Sequence, residues 1–339
     1  MKLNFSKIIL VVFSLQMAAI CAHGQNIKDL NAQAAQALAK EDYAQAIRLY
    51  SEVIKLDPRY EPAYTSRGDA FLLHDKYEEA IKDFNEAIQL NPTNYLAYEL
   101  RGSVYYAKQE LDKAIADLTV ALQAEPRKGE HFKNLRGAAF EIRGKAYSWK
   151  HDYTNAIADL TEALKFQMDD YQIYERRGVS FYEEREFGKA LSDFNNAIRL
   201  NPEATLSLAN RGRIYSRTGL FTNAIQDFEA VIKREPEAFR VYNSLAWLLA
   251  TCADDHILDG KRAVELATKA CDLSKWENYV CVDTLAAAYA ETGDYERAVK
   301  YQKQAASMAG ISDANRTNSQ NRVDLYLQHK PYRESPRSK

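Results

Sequence analysis

Apolar residues along this chain recur at helical spacing, in pairs of stretches separated by short polar turns. In "YTSRGDAFLLHDKYEEAIKDFNEAIQLNP", Tyr64, Gly68 and Phe71 mark one face, and Tyr77, Ala80, Phe84 and Ala87 mark the next. Steps of three and four residues predict two amphipathic helices around a turn. Gly68 and Ala80 carry almost no side chain, so the helices can cross closely there while Tyr64, Phe71 and Phe84 fill the flanks. Pro92 cannot continue the second helix and ends it.

The chain then writes the line again. "YEEAIKDFNEAIQLNP" at 77–92 returns as "FGKALSDFNNAIRLNP" at 187–202, 110 residues later. Pro58, Pro92 and Pro126 stand 34 apart, Pro126 to Pro202 is 76, and Pro202 to Pro236 is 34 again. Alanines keep the same phase: Ala46, Ala80 and Ala114, then Ala156 after 42 residues, then Ala190 and Ala224. Eight extra residues therefore enter once, and "GEHFKNLR" at 129–136 is their natural place. They predict a first helix longer by about two turns, roughly 12 Å, in the fourth unit. Met168 stands there instead of the closing proline, so that unit's second helix is expected to run on. One hairpin hides too little apolar surface to order itself, and must stack on copies of itself.

In the third unit Tyr98, Gly102 and Tyr105 mark the first helix, Leu111, Ala114, Leu118 and Ala121 the second, and Pro126 the stop. This spacing resembles the tetratricopeptide repeat, a 34-residue helix–turn–helix unit. Eight units are in phase, starting near Ile27, Glu61, Tyr95, Gly137, Tyr171, Thr205, Phe239 and Tyr279. The resemblance implies an all-α, right-handed superhelical solenoid with a C-terminal capping helix. Units one to six cover 27–238, and divergent units seven and eight cover 239–312, with Ala246 in the glycine position and extra residues around "DDHIL". Residues 313–339 supply the cap, on an apolar stripe of Val323, Tyr326 and Leu327, and then a flexible tail, "PYRESPRSK".

A second ladder runs through the middle units. Arg67, Arg101, Arg143, Arg177 and Arg211 each precede the glycine, and sixteen residues after each come Asp83, Asp117, Asp159, Asp193 and Asp227. Facing helices bring each Arg to an Asp, which reads as structural stapling, with a ligand-binding row of arginines as the sharper alternative.

The repeat family places the first helix of each unit on a concave surface that holds extended peptides or a partner's helix. Its lining positions lie one, four and five after the glycine, and three and six before it. Carried onto this chain, they are Asp69; Glu99, Ser103 and Tyr106; Glu141, Lys145 and Trp149; Glu175, Tyr182 and Glu183; Arg213 and Arg217; and Arg240, Asn243 and Trp247. An acidic first half gives way to a basic patch at Arg213, Arg217 and Arg240, suited to a peptide with a basic segment followed by an acidic one. The Lys/Asn clamp by which cytosolic members hold chaperone carboxyl tails is missing.

Composition narrows the function classes. The 339 residues carry 45 basic and 47 acidic side chains, with no strongly basic block, so a general electrostatic grip on nucleic acid is not expected. Lys2 and Lys7 precede a 13-residue apolar run, Ile8 to Ile20, too short for a comfortable membrane span and of signal-peptide length. Residues 1–24 therefore read as a signal peptide cut after Ala22-His23-Gly24; a lipoprotein site at Cys21 fits less well behind bulky Ile20. The mature chain is expected to be periplasmic or secreted, without a stable membrane span. Cys252, Cys271 and Cys281 remain, either with a Cys271–Cys281 disulfide or as buried apolar residues. The six histidines are scattered, and no HExxH, GxSxG, GxxxxGK[ST] or EF-hand loop occurs. No cofactor, metal or catalysis is expected. The function that follows is a protein-interaction scaffold that binds a partner peptide or helix. The alternative is a cell-envelope accessory that binds glycan through its aromatics, or self-assembles through its terminal repeats.

Overall fold

The computed structural model describes residues 24–123, 130–166, 170–308 and 311–334, with backbone only for 130–134. The leader expected at 1–24 lies outside these residues except for Gly24, as do Cys21 and Met168. Among the described residues the chain is all helix, in two compact units divided at Met168 and Asp169.

The first unit holds α1 (24–39) with α2 (Tyr43–Leu56), α3 (Glu61–Leu73) with α4 (Tyr77–Leu90), α5 (Tyr95–Ala107) with α6 (Leu111–Leu122), and α7 (Glu130–Trp149) with α8 (Tyr153–Ala163). The second holds α9 (Tyr171–Glu183) with α10 (Phe187–Leu200), α11 (Thr205–Thr218) with α12 (Phe221–Arg234), and α13 (Phe239–Thr251) with α14 (Gly260–Leu273). It ends with α15 (Tyr279–Glu291), α16 (Tyr295–Ser307) and the single helix α17 (Asp313–Leu327). Within each unit, successive pairs pack on one another in chain order, the arrangement of an α-solenoid.

Helix α4 shows why the pattern folds this way. Its buried residues are Ala80, Asp83, Phe84 and Ala87, at steps of three and four, and Glu78 and Glu79 occupy its first turn. Asn91 leaves the helix in extended backbone while its N–H still bonds the Ala87 carbonyl, and Pro92 follows. At the opposite end, one residue of every hairpin turn except that between α13 and α14 takes a left-handed conformation: Glu41, Asp75, Gln109, His151, Arg185, and the glycines Gly219 and Gly293. The first six recur at 34 residues, with 42 across the insertion. Only two of the seven positions spend a glycine on that conformation, which any other side chain enters at a cost. Asp42, Asn94, Asp152, Asp170, Asn278 and Asp294 cap the helices that follow them through side-chain oxygens.

Three local expectations need comment. Helix α7 has 20 residues where α5 has 13, so the extra chain before Gly137 is taken up as helix. Helix α8 does not run on: it stops at Ala163 after 11 residues. Lys165 and Phe166 donate to Glu162 and Ala163 in tighter three-residue bonds, and the Phe166 ring stacks on Phe140 at 6.5 Å, turning the chain back onto α7. In α17 the inward stripe is Ser319, Val323 and Tyr326, whereas Leu327 is 60% exposed. Neighbouring residues of a helix cannot share a face, so Leu327 turns away when Tyr326 turns in.

Candidate functional site

The five arginines before the repeat glycines all meet the aspartates sixteen residues on. Each donates in parallel from Nε and Nη2 to the two carboxylate oxygens, at 2.6 to 2.8 Å across the five pairs. The aspartates are buried, and this planar two-point contact keeps their charge satisfied. Two further features of the rung were not foreseen. Nη1 of Arg67, Arg101, Arg143 and Arg211 reaches back to Ser51, Asn85, Thr119 and Asn195, on the second helix of the preceding repeat. Each guanidinium also lies over aromatic rings: Tyr64 and Phe71 for Arg67, Tyr98 and Tyr105 for Arg101, Phe140 and Tyr147 for Arg143. The same holds for Tyr174 and Phe181 at Arg177, and Tyr215 at Arg211. The signal lay in the sequence, since the rings stand three before and four after the arginine. The ladder therefore joins one repeat to the next as well as closing each hairpin.

The groove residues of the first unit differ in their surroundings. Glu99 is buried in α5, and the loss of water lifts its carboxyl to about 8. Burial likewise raises the Asp69 carboxyl. Glu141 and Lys145 pair with each other along α7, Tyr106 is half-buried, and Trp149 is 59% exposed.

The second unit is different. Tyr182 from α9, Arg213 and Arg217 from α11, and Asn243 and Trp247 from α13 line one cavity of about 400 Å³. Arg213 donates to Asn210 at 3.1 Å, and the Arg217 guanidinium lies 4.9 Å from the Phe187 ring centre. Three groove candidates stand outside the cavity, the exposed Glu183 among them. Arg240 is exposed beside Phe239, and Glu175 is engaged with the next helix, accepting from the Ser207 N–H at 3.1 Å and its hydroxyl at 2.7 Å.

Sequence register missed the cavity's far wall. Tyr279, Asp283 and Thr284 come from α15, and Asn315, Asn318 and Arg322 from α17. Arg322 donates to Asp283 at 2.6 Å, and the buried Gln302 donates to the same oxygen and to Ser319. Thr284 is fully buried and its hydroxyl has no partner; the Asn243 side-chain oxygen is also buried without one. Unsatisfied polar atoms are costly inside a protein, and both residues belong to the wall of this cavity.

The tail expected to be loose is held as far as Glu334. The Glu334 N–H donates to the Thr251 carbonyl at 2.8 Å, and its carboxylate accepts from the Trp247 indole N–H at 3.1 Å. Tyr332 packs against Trp247 at 5.8 Å between ring centres, with the Arg322 guanidinium over both rings. Arg333 pairs with Glu291 at 2.5 Å.

Among the described residues the three cysteines, Cys252, Cys271 and Cys281, are free and buried, and burial pushes the Cys271 thiol up to about 12. Among the described residues no helix is long and apolar enough to cross a membrane, and no group of three His, Cys, Asp or Glu is placed to hold a metal ion.

Comparison with known families agrees with the helix pairs. The family model for the TPR repeat matches residues 68–109, and that for the tetratricopeptide repeat matches 206–237 and 283–310. These segments of the chain are tetratricopeptide repeats. Solved tetratricopeptide structures share its fold at low identity. YrrB, described as a TPR protein with an unusual peptide-binding site, is 18% identical with a TM-score of 0.52, over 57% of this chain and 96% of its own. The pilF protein of Pseudomonas aeruginosa is 15% identical with a TM-score of 0.56, over 66% of this chain and 99% of its own. The C-terminal part of a TPR repeat-containing protein from Cytophaga hutchinsonii is 18% identical with a TM-score of 0.55, over 75% and 99%. A comparison with curated proteins finds no match. The fold supports a protein-interaction scaffold in general terms.

Proposed function

We propose that this protein is a non-catalytic scaffold that captures a partner's polypeptide segment on the first helices of its second unit. The observation that carries the reading is the cavity between α11, α13, α15 and α17, whose wall includes Arg213, Arg217 and Arg322. Two of those arginines have no carboxylate bonded to them in the ladder manner, so an acidic segment complements the site. A space of this size suits a few side chains of a peptide, and YrrB shows that the same fold can be put to peptide binding. The leader-like residues 1–24 place this scaffold, in our reading, outside the cytoplasm.

The test is affinity capture from the envelope fraction of the exporting cell, with the wild-type chain beside an Arg213→Glu/Arg217→Glu chain. Neither residue belongs to the stapling ladder, so folding should persist while capture is lost. An unchanged set of captured proteins would remove the groove. Binding of cell-wall glycan instead of protein would replace the reading.

A further inference from the structure

The described part of the chain ends on the cavity that the preceding reading treats as a partner site. Residues 331–334 have no regular structure, yet they return from α17 to α13 and meet a side chain 87 positions earlier. Their contacts are those of a bound peptide. A backbone N–H bonds the last carbonyl of α13, a ring lies on Trp247, and a carboxylate takes the indole proton. Trp247 and Glu334 both line the cavity. Arg322 contributes to this contact and to the cavity wall, with its guanidinium over Tyr332 at 5.5 Å. The segment occupies only one edge: about 400 Å³ remains, bordered by Arg213, Arg217 and Thr284.

We infer that this site recognises an extended peptide carrying an aromatic ring and, two residues later, a carboxylate, and that Tyr332-Arg333-Glu334 is a built-in occupant of it. The inference rests on the peptide-groove reading and adds the ligand's chemistry and its competitor. A segment tethered to its own site acts at an effective concentration in the millimolar range. A partner must therefore carry more than these three residues. Acidic side chains reaching Arg213 and Arg217 are the additions the cavity offers.

The experiment uses full-length chains and a fluorescent peptide copying residues 329–339, HKPYRESPRSK. Fluorescence polarisation should show the peptide binding a Tyr332→Ala/Glu334→Gln chain at least about tenfold more tightly than wild type, because the tethered competitor is gone. A peptide with the same two changes should bind neither chain. Equal binding to both chains, or none to the variant, would overturn the inference. Should the double variant fail to fold, Tyr332→Ala alone takes the ring off Trp247, and it should still tighten peptide binding by a few fold. A wild-type dimer that Glu334→Gln dissociates would show the tail held by a second copy, which also overturns it. If peptide binding is unaffected while Arg213→Glu/Arg217→Glu still abolishes capture, the tethered competitor is wrong and the groove stands. Loss of the groove reading shows instead as capture that ignores the two arginines.

Discussion

Arg143 and Asp159 face each other across a helix pair, with Nε to Oδ2 at 2.7 Å and Nη2 to Oδ1 at 2.8 Å. Their side chains are 16% and 8% exposed, so this is not a solvent-screened surface pair. Arg143→Ala leaves a buried carboxylate without its partner and should cost about 3 kcal/mol in urea unfolding. The Arg143→Ala/Asp159→Ala chain should lose less than the sum of the two single changes. Lost partner binding with unchanged melting would instead make the ladder a ligand site.

Two glycines should respond in opposite directions to the same substitution. A Cβ on Gly68 would stand 2.6 Å from Cε1 of Phe84, whereas one on Gly188, within α10, meets nothing within 4 Å. Gly68→Ala should therefore destabilise by about 1–3 kcal/mol through overpacking. Gly188→Ala should stabilise by about 0.5–1 kcal/mol, since alanine loses less freedom in a helix. Chemical denaturation of both variants measures the difference.

Glu99 predicts a pH dependence of fixed sign. Its carboxyl ionises at about 8 in the fold instead of the ordinary 4.5. Between those values the folded chain keeps a proton that the unfolded chain has released, so stability falls as pH rises through the window and levels off above it. Glu99→Gln removes that slope. The two chains should melt alike near pH 5, and the glutamine chain should be more stable by on the order of 2–4 kcal/mol at pH 8.5. Parallel melting curves across the range would contradict the burial argument.

The thiols should be silent until the chain unfolds. Cys252, Cys271 and Cys281 are buried, and burial raises all three above the ordinary thiol range. Iodoacetamide at pH 8 should label none of them in the native protein and all of them in urea. Prompt native labelling of any one would show that its helix opens.

How much of this was legible beforehand depended on whether a feature is periodic. The helix pairs, the meeting of Arg67 with Asp83, and the extra turns of α7 follow from spacings of 34, 16 and 8 residues. The reach of Arg67 to Ser51 was visible only once the direction of the stack was known. Missed outright was the wall made by α17 and Glu334, because Arg322 and Glu334 belong to no repeat register, whereas Asp283 stands in the register of Asn243 and Glu175, in a unit from which no groove residue was read. Met168 misled because the end of α8 is set by local bonds and the Phe140–Phe166 stack, not by a proline.

A chain joined mainly by neighbour-to-neighbour rungs has a particular answer to tension. Drawn from its ends, it should yield one hairpin at a time, each 34-residue release adding roughly 110–120 Å of slack. The bond from Trp247 to Glu334 is the exception, since it closes a loop of 87 positions around the final helix pairs. Those pairs should hold together under load and then give way in a single larger jump, once that latch slips.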